Sequence, residues 1–199
     1  MTGKIAALYV DLKRGPYGSL PDVEAWDEKR DARRYPGPFP VVAHPPCSGW
    51  GTYATSGRAS TSSNDCGSAA WDALMLWGGV IEQPYRSTLF RDVAGLDLYG
   101  YATAWKLGRT PWGQWLPVGN PTGGRGLWVT RIKQGDWGFE SPKATLLVCN
   151  IEQWSTPPSF EQPARKAPNL LENMPSNRRH TTPRALALAL VELARMAYL

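Results

Sequence analysis

The chain is poor in the residues that disulfide and metal chemistry require. It holds three cysteines and two histidines in 199 residues. An odd number of cysteines at irregular spacing excludes a disulfide framework. His44, Cys47 and Cys66 match no zinc-ligand spacing, and Cys149 lies within an apolar strand-like run, so no metal is expected. Long apolar runs are also lacking. None approaches the roughly 18 residues that span a bilayer, so no membrane association is expected. Met1 to Val10 reads as a first strand and lacks an apolar core followed by a cleavage site, so the chain is expected to be cytoplasmic. Charged residues are only 20% of the chain against 42% hydrophobic, a balance that suits one globular domain and excludes a disordered one. There is no internal repeat.

What is present is basic charge and aromatic surface. The net charge is +5. Residues 1–46 nearly balance, whereas residues 97–184 carry eleven Lys or Arg against six Asp or Glu. Such an excess favours an acidic partner, of which nucleic acid is the commonest, though a solvated basic surface has the same composition. Ten tryptophans and eight tyrosines can stack on bases, and most large aromatics also pack cores.

Hydrophobic patterning predicts strand and helix in alternation. Ile5 to Val10 reads as a buried strand, followed by the turn-rich Asp11 to Gly18. Val23 to Arg34 is helix-compatible, with Asp22 as its N-cap. Phe39 to Ala43 is a second strand, broken by Pro45 and Pro46. Residues 48–63 form a Gly/Ser/Thr loop. Asn64 or Asp65 caps a helix to Trp77, with Ala70, Leu74 and Trp77 on one face. Val80 to Glu82 is a strand, and a short helix from Ser87 to Val93 follows. Leu127 to Ile132 and Ala144 to Cys149 form a hairpin, and residues 152–179 read as irregular. A last helix runs to about Met196, with Thr181 or Thr182 as cap and Pro183 at its first position. This is an α/β fold with a mostly parallel sheet and an antiparallel hairpin near the C-terminus. Ligands bind such sheets at the carboxyl ends of their strands, where Cys47 and Glu82 both fall.

Three motifs occur in order. His44-Pro45-Pro46-Cys47 follows an apolar strand. Glu82-Gln83-Pro84 ends the next one. Asp136-Trp137-Gly138-Phe139-Glu140-Ser141-Pro142-Lys143 leads into the strand from Ala144. Together, over residues 39–150, they resemble the catalytic half of the DNA cytosine-5 methyltransferases, which carry a Pro-Pro-Cys loop, a Glu-Asn-Val type triplet and an Asp-Tyr-Gly segment before a strand. They resemble still more closely small phage and prophage proteins of the His-Pro-Pro-Cys type, described as methyltransferase-like.

That resemblance implies a Rossmann-like methyltransferase sheet over residues 1–199, with 152–179 as an irregular insert or vestigial target-recognition region. It implies a pyrimidine-modifying enzyme acting on DNA or a pyrimidine nucleotide in a phage-infected or lysogenic cell. Cys47 is then the nucleophile at C6. Adding a thiolate there makes C5 enamine-like and able to attack an electrophile. Glu82, with its pKa raised by partial burial, is the acid at N3, and Lys143 stands where the family has its first arginine. Pro46 stiffens the loop. Gln83, Asp136 and Ser141 occupy substrate-side motif positions, and Trp50 or Tyr53 stacks on the base or fills the gap left by it. His44 orients Cys47 or its substrate, or is an ordinary loop histidine.

The implied donor is S-adenosylmethionine, held by Asp11, Gly15 and Tyr17, with Asp11 either a ribose ligand or a turn-forming aspartate. The sequence departs from the family most on this side. Its first turn is not a Phe-x-Gly-x-Gly type. One βα unit appears to be missing before the Cys47 strand, so the cofactor half is read as truncated. A second subunit or a homodimer would supply what residues 1–46 lack, and a different donor would suit base hypermodification. The alternative from another class is a non-catalytic nucleic-acid-binding, accessory or anti-restriction protein on a degenerate methyltransferase fold.

Overall fold

A computed structural model describes residues 3–51, 61–96, 98, 110–118, 125–152, 156–169 and 171–198. Among them is one seven-stranded mixed sheet in the order β2-β1-β3-β4-β7-β6-β5. The strands are β1 (Ile5–Leu8), β2 (Val23–Trp26), β3 (Val41–Ala43), β4 (Gly79–Pro84), β5 (Leu116–Pro117), β6 (Arg125–Lys133) and β7 (Ala144–Glu152). The first four are parallel. β7 runs antiparallel between β4 and β6, so the expected hairpin is present but folds back into the sheet. The protein is thus α/β with a Rossmann-like parallel half.

The period-2 alternation of the strands builds two cores, one on each face. On one face Ile5, Ala7, Val42, Val80, Leu147 and Cys149 meet the last long helix, α4 (Arg184–Arg195), through Leu186, Leu190 and Leu193. On the other, Ala6, Leu8, Val41, Ile81 and Val148 meet α1 (Thr61–Trp77) through Ala70 and Leu74. Two single-turn helices complete the set, α2 (Leu89–Asp92) and α3 (Ser176–Arg179). Among the described residues no helix is long and apolar enough to cross a membrane.

One expectation is overturned. Val23 to Arg34 is not a helix: its first four residues are β2, paired in register with β1 from Ile5–Val23 to Leu8–Trp26. Two aspartates at its ends adopt left-handed backbone, Asp22 (φ 57) and Asp31 (φ 53). Between them Asp27 Oδ1 accepts the N–H groups of Lys29 and Arg30, which turns the chain instead of continuing it. The Glu, Ala, Lys and Arg content suggested helix, and pairing with β1 overrode that weak preference. Two strands, β1 and β2, therefore precede β3, and the helical content of the connection between them is a single 3-10 turn, Tyr17–Ser19. A smaller correction concerns α4: Pro183 is its N-cap, its carbonyl accepting from Ala187 N–H, with no side-chain cap. Trp105 and Tyr53 lie outside the described residues.

The junction of α1 and β4 depends on glycine. Gly79 has φ +117, and a Cβ there would stand 2.0 Å from the Val41 carbonyl oxygen on β3. Gly95 also has positive φ (+63) but nothing within 4 Å. Gly79→Ala should therefore lower stability by at least about 3 kcal/mol, from backbone strain plus displacement of β3. Gly95→Ala should cost only about 1 kcal/mol, the left-handed penalty alone. Urea denaturation midpoints of the two variants check the difference.

Candidate active site at the carboxyl end of the sheet

Period 2 carries the two cores past the strand ends and sets the site. His44 lies two residues beyond Val42, and its N–H still bonds Leu8 O at 3.0 Å as the last rung of β3 on β1. Glu82 lies two residues beyond Val80. Both side chains consequently point to the α4 face, where Tyr17 is buried. There they meet. Tyr17 Oη is 2.7 Å from His44 Nε2, and His44 Nδ1 is 3.1 Å from Glu82 Oε2. Gln134, fully buried, donates from Nε2 to Glu82 Oε1 and to Thr145 Oγ1, each at 3.0 Å. The Thr145 hydroxyl donates to Lys143 O at 3.1 Å. A polar chain thus crosses from the β1 turn to the start of β7.

The charge state of Glu82 follows from its surroundings. Burial pushes its pKa up, but the Lys143 charge, the hydrogen bond and charge of His44 and the nearby Thr145 hydroxyl outweigh burial and hold it at about 2. This corrects the expectation of a raised value: Glu82 is a carboxylate, not a general acid. An ionised carboxylate only accepts, so His44 Nδ1 carries a hydrogen. A neutral His44 ring then accepts at Nε2, and Tyr17 is the donor.

Cys47 stands beyond the double proline, half-buried, with its carbonyl accepting from Trp50 and Gly51 N–H. Burial and then the Glu82 charge raise its thiol pKa, while Lys143 pulls the other way. Sulfur, carboxylate and ammonium therefore lie within one another's electrostatic reach, and the resting thiol is protonated. The other two cysteines are different. Cys149 is fully buried in the core, and Cys66 is on α1.

The remaining candidates divide. Gln83 points to the opposite face from Glu82, is buried, and donates from Nε2 to Pro45 O at 2.6 Å while accepting from Ser87. It holds the Pro-Pro-Cys loop from within. Pro46 is exposed beside Cys47. Trp50 is buried among the residues of α1 and α2, away from any position where it could replace a base. Asp136 Oδ1 accepts from Arg165 N–H at 2.9 Å and anchors the 156–169 segment. Ser141 is buried. Asp11 forms a turn, its Oδ1 accepting from Lys13 and Arg14 N–H, and Gly15 N–H closes that turn onto Asp11 O at 2.8 Å. Tyr17 belongs to the His44 network.

A small depression of about 40 Å³ lies at the carboxyl end of β1, lined by Asp11, Gly15, Tyr17, His44, His180 and Thr181 among others. Cys47 and Glu82 do not line it. His44 is the residue shared between that depression and the Glu82 network. Both histidines of the chain border it, and His180 has a lowered pKa through burial and the charges of Lys143 and Arg179. Gln134, Thr145, His180 and Thr181 were not singled out from sequence as site residues. The signal for Gln134 was available: it continues the core-facing series Trp128, Thr130, Ile132, where a glutamine needs partners. Among the described residues no group of three or more His, Cys, Asp and Glu is placed to hold a metal ion.

Comparison with protein-family models, curated proteins and solved structures found no significant match.

The Glu82 shift makes a pH prediction. Its carboxyl is depressed in the folded state, so it contributes stability that is fully present above about pH 5 and is lost as pH falls towards 2. The contribution is about 3 kcal/mol from the pKa difference. Glu82→Gln should remove that contribution and flatten the acid limb of the stability profile between pH 5 and 2. Chemical denaturation across that range measures it, and an unchanged limb would place the titrating group elsewhere.

Proposed function

We propose that the protein modifies a pyrimidine base, most simply cytosine in DNA, through a covalent adduct between Cys47 and ring carbon C6. The observation that supports this most is the convergence of the Cys47 thiol, the Glu82 carboxylate and the Lys143 ammonium at one strand-end rim, in the motif order of the cytosine-5 methyltransferases. As a carboxylate, Glu82 retains acceptor capacity beyond His44 and Gln134, because its two oxygens offer about four lone-pair sites. It can accept from the exocyclic amine of cytosine and so align the ring against the sulfur.

The resting thiol must lose its proton to attack. Glu82 at about 2 is too weak a base, and Lys143 is a cation. Imidazole is the side chain suited to moving a proton near neutral pH, and His44 is already oriented by Tyr17 and Glu82. In the adduct-forming step the S–H proton passes to His44 Nε2 as the Tyr17 hydroxyl turns from donor to acceptor, the S–C6 bond forms, and the C5=C6 π pair moves to C5. After C5 takes up the electrophile, the C5 proton leaves to solvent, the C6–S bond breaks to restore the ring, and the sulfur takes back the proton held by His44. Lys143 stabilises the thiolate at the start and end of this sequence.

The resemblance implies S-adenosylmethionine as the donor. The depression at the end of β1 is lined by the Asp11 carboxylate and the Thr181 and Thr182 hydroxyls, and at about 40 Å³ it would take only a small polar fragment of such a group. Asp11, Gly15 and Tyr17, with Thr181, would hold it there. When bound it would supply a one-carbon electrophile for C5.

Wild-type protein incubated with S-adenosylmethionine and an oligonucleotide carrying 5-fluorocytosine should form a covalent complex detectable by mass, because once C5 has taken up the one-carbon group fluorine cannot leave as a proton does. Cys47→Ala should abolish it. His44→Asn should slow adduct formation by about a hundred-fold, the loss of the proton acceptor. If the wild type binds DNA and never traps the base, the protein is an accessory nucleic-acid-binding module and the covalent reading is wrong.

A further inference from the structure

Beyond the strand-end site lies a cluster that the chemistry above does not use. On β6, Arg131 and Lys133 share the face that carries Leu127 and Val129. Their charged groups lie 4.3 and 4.9 Å from the centre of the Trp112 ring, so the indole rests across both cations. Tyr85, three residues past Glu82, has its ring centre 6.3 Å from that of Trp112. The backbone fixes the group at the rim. Tyr85 N–H bonds Ala144 O beside Lys143, and Gly113 N–H bonds Arg131 O at 2.8 Å. Gly113 has φ +88, and a Cβ there would stand 2.3 Å from the Phe160 backbone. The turn presenting Trp112 is therefore held between β6 and the 158–161 segment before any ligand arrives. Arg86, exposed, follows Tyr85 in the same turn.

Two ordered aromatics interleaved with cations are the elements with which proteins hold single-stranded nucleic acid. Arg131 is buried beneath the indole and donates to Thr110 O at 3.3 Å, so it fixes Trp112 in place. Lys133 and the exposed Arg86 are the cations that can meet phosphates, and the rings stack on any base that has left a duplex. The strip lies on the face to which Gln83 fastens the Cys47 loop. Tyr85 follows directly on β4, so a strand docked on the strip lies beside the residue that anchors the Cys47 loop. A duplex fits less well. Its bases are paired inward, and extruding one requires unstacking, while Trp50, the described residue suited to filling the vacated space, is buried in the core.

We propose that Tyr85, Trp112 and Lys133, with Arg131 holding the indole from beneath, form a docking strip for single-stranded nucleic acid that delivers the target base to Cys47. This deepens the function proposed above and rests on it for the fate of the docked base. Anisotropy of a labelled oligodeoxythymidine tests the strip, with a duplex of equal length alongside. Wild type should bind the single strand at least ten-fold more tightly than the duplex. Trp112→Leu should weaken single-strand binding ten-fold or more, and Trp112→Phe should restore most of it. Lys133→Gln should reduce the slope of log K against log salt by about 0.7. Unchanged affinity in Trp112→Leu and unchanged slope in Lys133→Gln would overturn the proposal, as would preference for duplex or failure of Trp112→Phe to restore binding. Trapping of free 5-fluoro-2′-deoxycytidine monophosphate by wild type with S-adenosylmethionine reads the Cys47 chemistry separately. An absent trap with intact strip binding removes the covalent reading alone. A positive trap with strip variants that bind normally removes the strip alone.

Discussion

A single buried carboxylate organises this end of the molecule. Glu82 is 9% exposed, and an ion so placed is costly unless opposite charge and hydrogen bonds surround it. Lys143, His44, Gln134 and Thr145 do that together, and they come from β3, β6 and β7 as well as the turn before β7. The carboxylate consequently ties the parallel half of the sheet to its antiparallel half. Removing any one partner leaves the others with an incompletely satisfied buried charge, so the network stands or falls nearly as a unit.

The same arrangement separates two roles that the motif alone would have merged. A carboxyl beside a thiol suggests an acid, but the local field keeps this one ionised, and in the proposed reaction proton transfer falls to the neighbouring imidazole. His44 has one ring nitrogen on Glu82 and the other on Tyr17, whose ring borders the depression at β1.

Much of this was legible in residue order. Apolar runs ending in Pro-Pro-Cys and in Glu-Gln-Pro located two strands and put Cys47 and Glu82 at one rim, because parallel strands end on the same side. The hairpin was legible from two apolar runs flanking a polar segment. What was not legible depended on partners distant in sequence. Val23 to Trp26 has helix-forming composition, and only the neighbouring β1 makes it a strand. The pKa of Glu82 depends on Lys143 and Thr145, more than 60 residues away, so no local pattern could give its direction. Trp50 looked like a mobile-loop aromatic because its flanks are Gly and Ser, yet the packing of α1 and α2 takes it inside.

Adjacent residues on β4 face opposite ways, and this has a consequence for the tetrapeptide His44 to Cys47. Glu82 grips its first residue from one side of the sheet, and Gln83 grips its second from the other. Two adjacent side chains of one strand thus hold the loop that carries the sulfur. Anyone transplanting this reactive loop into another scaffold would have to move the Glu-Gln pair with it, since the loop carries no internal ruler of its own.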